Sequence, residues 1–481
     1  MVFAFAAPSL FLSAIKRRCR ASLIAASVFA CLASPAAAET ETVDLTAGDA
    51  ADSHQQVRVI VEVEGKLKVN PDGKEVQHVP IKATAELVYV ERTLASSKAG
   101  SGGRAARHYT KAEAQIRLRE TDLTNNLRPE RRLIVLDAHA GEPAQFSPLG
   151  PLTREELELV EVPASGISLT ALLPGKSIAT GSSWKLSDQI IARLFNLEAA
   201  NQQTIECKLD SVKDGLAIVS LEGTVTGAFG GVSSDLEVKG KLNFDLKKRA
   251  VTWLTLAIQE KRAIGHAQPG FEVVTRLRMV AAPCAAAPEV SDQTLKGLPT
   301  TAEGGQTLIE LTSDTSGLQL VHDRRWGVML ERHDATILRL VDRGDLIAQC
   351  NISRLPAFTK GEALTLEGFQ NDVKQALGKN FGEVVEAAQE AGEGGLVVQR
   401  ITVSSTAGEL PIQWTYYHLS DDKGHRASLV FTIEGKLVER FAQIDRELVS
   451  GLRFLSDKQP TPALTGADGS AQKPTEANKT K

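Results

Sequence analysis

His322-Asp323 and His333-Asp334 are the residues whose types and spacing come closest to chemistry in this chain. Two imidazoles with neighbouring carboxylates, carried on a turn, could converge on a divalent metal. Eleven residues separate the two histidines, and surface histidines beside turn aspartates are the commoner outcome of such a pattern. Arg324-Arg325, just ahead of Trp326, could clamp an anion or an acidic partner, because a guanidinium presents a planar fork of donors. A solvated turn is the plainer reading. Trp414, Tyr416 and His418 fall on one face of a strand, with Tyr417 on the other. Such a stripe could line a ligand or partner groove, and more often it is core beneath a helix. GxSxG, HExxH, CxxC, a Walker loop, GxGxxG before a helix and EF-hand spacing are all absent from the sequence. The residues therefore point to no catalytic group and no cofactor.

The ends and the composition say more about where the chain goes. Lys16, Arg17, Arg18 and Arg20 form a basic region ahead of the short apolar run Ala21 to Leu32, and Ala36-Ala37-Ala38 supplies a cleavage site. This is the pattern of a signal peptide over 1–38, so the protein is expected to be exported, to a periplasm or outside the cell. Val28-Phe29-Ala30-Cys31 gives a second reading, a lipid anchor through Cys31, but Phe29 is bulky where that pattern prefers a small residue. Cleavage removes four positive charges and takes the formal charge from −4 to about −8. An acidic mature chain argues against a nucleic-acid partner. No other run approaches the roughly 20 apolar residues of a membrane-spanning helix. Cys207, Cys284 and Cys350 lie beyond the leader. An odd, widely spaced set is no disulfide framework, although one bridge stays open. Cys207 and Cys350 lie in strand patterns and read as small core residues, whereas Cys284 is expected to be the accessible thiol.

The elements that must position these residues begin after a polar, loose stretch over 39–54. Val57, Val59, Val61 and Val63 alternate with charged residues, and Leu67 and Val69 extend the strand. A turn at Asn70-Pro71-Asp72-Gly73 leads to a partner strand from about Ile81 to Glu91. The Gly/Ser-rich, basic stretch LASSKAGSGGRAAR, Leu94 to Arg107, is expected to be a flexible loop. Thr153 to Leu159 reads as a short helix. LPGKSIATGSSW resembles a segment of β-rich exported bacterial proteins of unknown function, with Trp184 anchoring the next element. The alternation is clearest at Leu236, Val238, Leu242 and Phe244 against Glu237, Lys239, Lys241 and Asp245. It predicts an antiparallel meander from about Thr204 to Val280 with one solvated face.

Beyond a Pro/Ala/Gly/Ser/Thr-rich linker over 283–315, the pattern changes. Leu318 to Val321 and Trp326 to Glu331 read as a hairpin, and Ile337 to Leu340 and Leu346 to Ile352 as strands. Leu366, Phe369, Val373 and Leu377 recur at helical spacing. Three more strands are expected around Leu396–Val403, Gln413–Leu419 and Ala427–Ile433, and Leu437, Phe441, Ile444 and Leu448 mark a closing helix. The Trp326 strand, the LTLEGF helix start, the aromatic strand QWTYYHL and the ending RFAQIDRELVSGLRF together resemble the PsbP-like family of α/β sandwiches. That resemblance implies a binding or assembly role rather than an activity, and it carries over no ligand or metal site.

The fold class expected is α+β. A β-rich antiparallel domain over 55–282 precedes the linker and a PsbP-like α/β sandwich over 316–455, and 456–481 is expected to be a disordered tail. The function expected is that of a non-catalytic envelope protein binding another protein. A carrier of a lipid or other apolar small ligand in the β-rich domain is the alternative, and an unrecognised enzyme the third.

Overall fold

The computed structural model describes residues 42–48, 51–70, 74–95, 103–138, 143–164, 166–314, 316–359, 362–392 and 395–455. Residues 1–41 with Cys31, residues 71–73 of the expected first turn, residues 96–102 of the basic stretch and residues 456–481 lie outside the described residues. The chain is mostly β-sheet, with several sheets that are largely antiparallel and a few short helices.

The period-2 pattern builds the large sheet. Glu206–Lys213, Leu216–Phe229, Val232–Asp245, Ala250–Arg262 and Gly270–Pro283 pair antiparallel in succession. Gly270–Pro283 then pairs with His54–Val69, which leads through Gln77–Ala95 and Arg104–Leu118 to Leu133–Asp137 and Ala144–Phe146. Leu236, Val238, Leu242 and Phe244 are buried, while Glu237, Lys239 and Lys241 face solvent. Gly240 interrupts the apolar row because a Cβ there would sit 2.5 Å from Leu256 Cδ2. The apolar face is packed against Leu157 and Val160 of the helix Arg154–Val160 and against Ile191 and Leu194 of the helix Asp188–Leu194. Each such side chain contributes about 1.5–3 kcal/mol by leaving water.

The structure corrects several expectations. The stretch 39–54 is not simply loose: Thr42–Asp44 pairs with Ser177–Ala179, and Val43 and Leu45 are buried. Two alternating apolar residues are too short a signal to announce a strand whose partner is far along the chain. The end of the basic stretch is strand, since Arg104–Leu118 is continuous and Ala105, Ala106 and Arg107 are fully buried. The stretch read as a linker carries the turn Pro288–Val290, the short helix Asp292–Leu295 and the strand Ile309–Ser313. Val290 and Leu295 pack on Ala106 and Leu133 of the large sheet.

Leu318–His322 and Trp326–Glu331 do not form the expected hairpin. The first belongs to a small mixed sheet with Leu452–Phe454, Ile309–Ser313 and Leu152–Thr153. The second is the edge of a seven-stranded antiparallel sheet that continues through Thr336–Asp342, Asp345–Leu355, Arg426–Glu434, Leu410–Ser420 and Val397–Ala407 to Glu383–Ala391. The small sheet knits the two parts together, because Ile309 and Glu310 pair in parallel with Leu152 and Thr153. In the C-terminal sheet, Phe369 and Val373 of the helix Leu366–Leu377 pack on Ile401 and Val403. Phe441 and Leu448 pack with Tyr417, Leu429 and Phe431 in a separate cluster. The closing segment is not one helix: Val438–Phe441 and Ile444–Ser450 are separated at Ala442, which has φ +38°. Among the described residues no helix is long and apolar enough to cross a membrane.

Candidate functional site: the junction between the sheets

Arg128 stands where the two parts meet. Its guanidinium donates to Glu156 Oε1 and Oε2, each at 2.7 Å, and to Glu310 Oε1 at 2.6 Å. Both carboxylates are buried. Glu156 is brought there by a capping box, with its backbone N–H bonded to Thr153 Oγ1 at 3.2 Å and its side chain accepting from Thr153 N at 2.9 Å. Burial works to raise the pKa of Glu156, but the Arg128 bonds and the backbone N–H groups of Thr153 and Arg128 outweigh it and hold the carboxyl below its usual range.

The arginine pair singled out in the sequence belongs to the same joint. Arg324 donates from Nε to Thr307 O at 2.6 Å, from Nη2 to Gln145 O, and from Nη1 toward Glu161 Oε1 at 3.5 Å. Arg325 is paired with Asp323 at 3.0 Å and with Asp342 at 3.6 Å. Arg154 reaches across to the carbonyls of Arg324 and Trp326. Arg324 is therefore engaged by the chain itself, whereas Arg325 stays exposed on the turn, paired to Asp323 and Asp342.

His322 is only 3 % exposed. Its Nδ1 lies 2.9 Å from the Asp323 carbonyl, so Nδ1 carries the proton and Nε2 is left as an acceptor. Burial pushes its pKa down to about 4, with the Arg154 charge adding to the shift against the opposing Asp323 bond. His333 is exposed in the turn between Trp326–Glu331 and Thr336–Asp342. One histidine is in the joint and the other is on the surface, and no group of three or more His, Cys, Asp or Glu side chains among the described residues is placed to hold a metal.

A cavity of about 300 Å³ opens beside His322, walled by Arg154 and Glu158 on one side and by Trp326, Gln268 and Phe229 on others. Two turns close its rim. A Cβ on Gly231 would fall 1.9 Å from Gly344 Cα, and both glycines have positive φ, so the contact admits no side chain. Arg339 Nη1 adds a bond of 2.8 Å to the His266 carbonyl.

The aromatic stripe lies elsewhere. Tyr416 packs in the cluster beneath Leu366–Leu377, and Trp414 is half-buried. His418 is buried, with its ring 5.7 Å from Phe369 and 5.8 Å from Phe358. Its Nε2 accepts from Arg426 Nε at 3.0 Å, and burial lowers its pKa to about 4. The stripe is thus largely covered by a helix and a loop. Tyr417, on the opposite face, donates its hydroxyl to the buried Asp445 at 2.8 Å, which also accepts from Arg400 at 2.8 Å.

Sequence reasoning missed that cluster, and it missed the buried pair Arg107–Glu91, 2.7 Å apart, with Arg107 4.7 Å over the Tyr89 ring. Neither has a local signature, since Arg107 and Glu91 meet across two strands and Asp445, on the helix Ile444–Ser450, meets Arg400 and Tyr417 on two others. Cys207 and Cys350 are buried and Cys284 is half-buried, all three unpaired by disulfide. Burial pushes the Cys207 thiol up to about 12.

No protein-family model matches the chain, and no curated protein matches it. Among solved structures, the solution structure of cyanobacterial PsbP (CyanoP) from Synechocystis is similar at 11% identity over 31% of this chain and 92% of that one, with a TM-score of 0.24. Pseudomonas aeruginosa OccK11 (OpdR) is similar at 8% identity over 82% of this chain and 97% of that one, with a TM-score of 0.12. Scores this low carry no argument about function.

Proposed function

We propose that this is an exported, non-catalytic envelope protein that binds another protein by accepting an extended segment along the edge of its C-terminal sheet. The observation that supports this reading is the strand Glu383–Ala391. It ends the sheet with no further strand beside it among the described residues, and Val385 on it is 60 % exposed. An open edge carries unpaired backbone donors and acceptors that a partner strand can complete, with an apolar side chain adding specificity. The finer assignment of 316–455 as a PsbP-like sandwich rests on the element order, with a helix before four strands and a closing helical segment after them. Export rests on the leader sequence. The carrier reading is less well supported, because the apolar face of the large sheet is packed by the chain's own leucines and isoleucines.

The experiment is cross-linking and recovery from the native envelope with the mature protein, with Val385→Lys, and with Leu149→Lys as an exposed control. A defined partner should be lost with Val385→Lys and kept with the control. Recovery of the same partner by both variants, or of none by the parent, would reject the reading.

A further inference from the structure

We propose that the cavity between the two sheets binds a small uncharged molecule carrying several hydroxyl groups. The inference does not rest on the partner-binding reading, since the cavity and the Glu383–Ala391 edge share no residue.

Its polar groups select the chemistry. His322 and Gln268 line the same cavity from different parts of the chain. With Nδ1 bonded to the Asp323 carbonyl, the buried imidazole has an acceptor, Nε2, left over. Gln268 Oε1 is buried and has no hydrogen-bond partner among the described residues. A buried polar atom without a partner calls for one, from water or from a ligand. A hydroxyl both donates and accepts, so it satisfies the imidazole and either face of the amide.

Among the described residues, four arginines and five glutamates line the cavity, so neither sign prevails in its walls. Arg154 and Arg324 bond to carbonyls, and Arg325 pairs with Asp323 and Asp342. Glu310 is held by Arg128, and Glu198 accepts from Gly231 N at 2.9 Å. Arg343 and Glu331 stand exposed at the rim. A net charge placed inside would meet like charges as well as opposite ones and gain little from the balance. The remaining wall is apolar, from Trp326, Phe229 and Leu311, and suits the C–H face of a hydroxylated ring. At about 300 Å³, the volume is at the lower end for small-molecule sites.

The test uses the mature full-length chain with D-glucose and glycerol as probes and D-gluconate as the charged comparison, read by saturation-transfer NMR and calorimetric titration. Saturable millimolar binding of at least one neutral probe is expected. It should weaken at least tenfold in His322→Phe and in Gln268→Leu, and Val385→Lys should leave it unchanged. Gln268 is only half-buried, so its variant keeps the test open should His322→Phe fail to fold. No saturable binding of either neutral probe, equal affinity in Gln268→Leu, or tighter binding of gluconate would overturn the proposal. The first outcome would make this a water-filled cavity only.

Discussion

Arg107 and Glu91 show how much a single buried pair can matter. Both are almost completely enclosed, and Gln55 Nε2 adds a bond of 2.6 Å to Glu91. Arg107→Met would leave a buried carboxylate without its cation, and a loss of about 3–5 kcal/mol is expected. Arg107→Met with Glu91→Leu removes both charges and should recover most of that loss. Urea unfolding of the single and double variants measures it, and a double variant no more stable than Arg107→Met would reject this account. His322 and His418 give a pH dependence of known sign. Burial depresses both pKa values to about 4, against about 6.5 in an unfolded chain. The unfolded state therefore binds more protons between those values. Stability is full above pH 6.5 and falls as the pH drops toward 4, by about 3 kcal/mol at most for each histidine. His418→Gln keeps an acceptor for Arg426 and removes one titrating group. Its urea stability should fall less between pH 7 and pH 4.5 than the parent's, and an identical fall would exclude His418 as a source.

At the scale of elements, the short helix Arg154–Val160 has an importance its length conceals. Thr153 caps it, Glu156 closes the box and then holds Arg128, and Arg154 bonds to the strand that begins at Trp326. Thr153→Ala should cost about 1–2 kcal/mol through the lost cap. The effect should spread to the junction, seen as faster amide exchange at both Glu156 and Glu310. Exchange confined to residues 153–156 would show that the helix end frays without loosening the joint.

At the scale of the molecule, the issue is whether the two parts melt separately. A linker free of contacts would allow it. Here Arg128 bridges Glu156 and Glu310, and Leu152–Thr153 pairs with Ile309–Ser313. The parent is expected to show a single calorimetric transition. Arg128→Met leaves two buried carboxylates without a cation and should lower stability by about 3–5 kcal/mol while splitting the transition in two. Two independent transitions in the parent would mean that the junction does not couple the sheets.

The sequence by itself determined which residues are strand and which face of each is buried, wherever the alternation was long. Leu236 to Phe244 and Val57 to Val69 were legible because a strand's side chains change face at every residue, whatever its partner is. The helix Leu366–Leu377 was legible from its spacing. The helix Asp188–Leu194 and the strand Glu383–Ala391 were not, being a short apolar run and a strand rich in Ala and Glu. Partnership was decided only in three dimensions. Nothing local tells Leu318–His322 to leave Trp326–Glu331 and join Leu452–Phe454 in another sheet. The site divides in the same way. Arg324 and His322 were visible as residue types, but their roles depend on Gln145, Thr307 and Arg154. Those residues are distant in the chain, and only the packing of one sheet against the other sets where they lie.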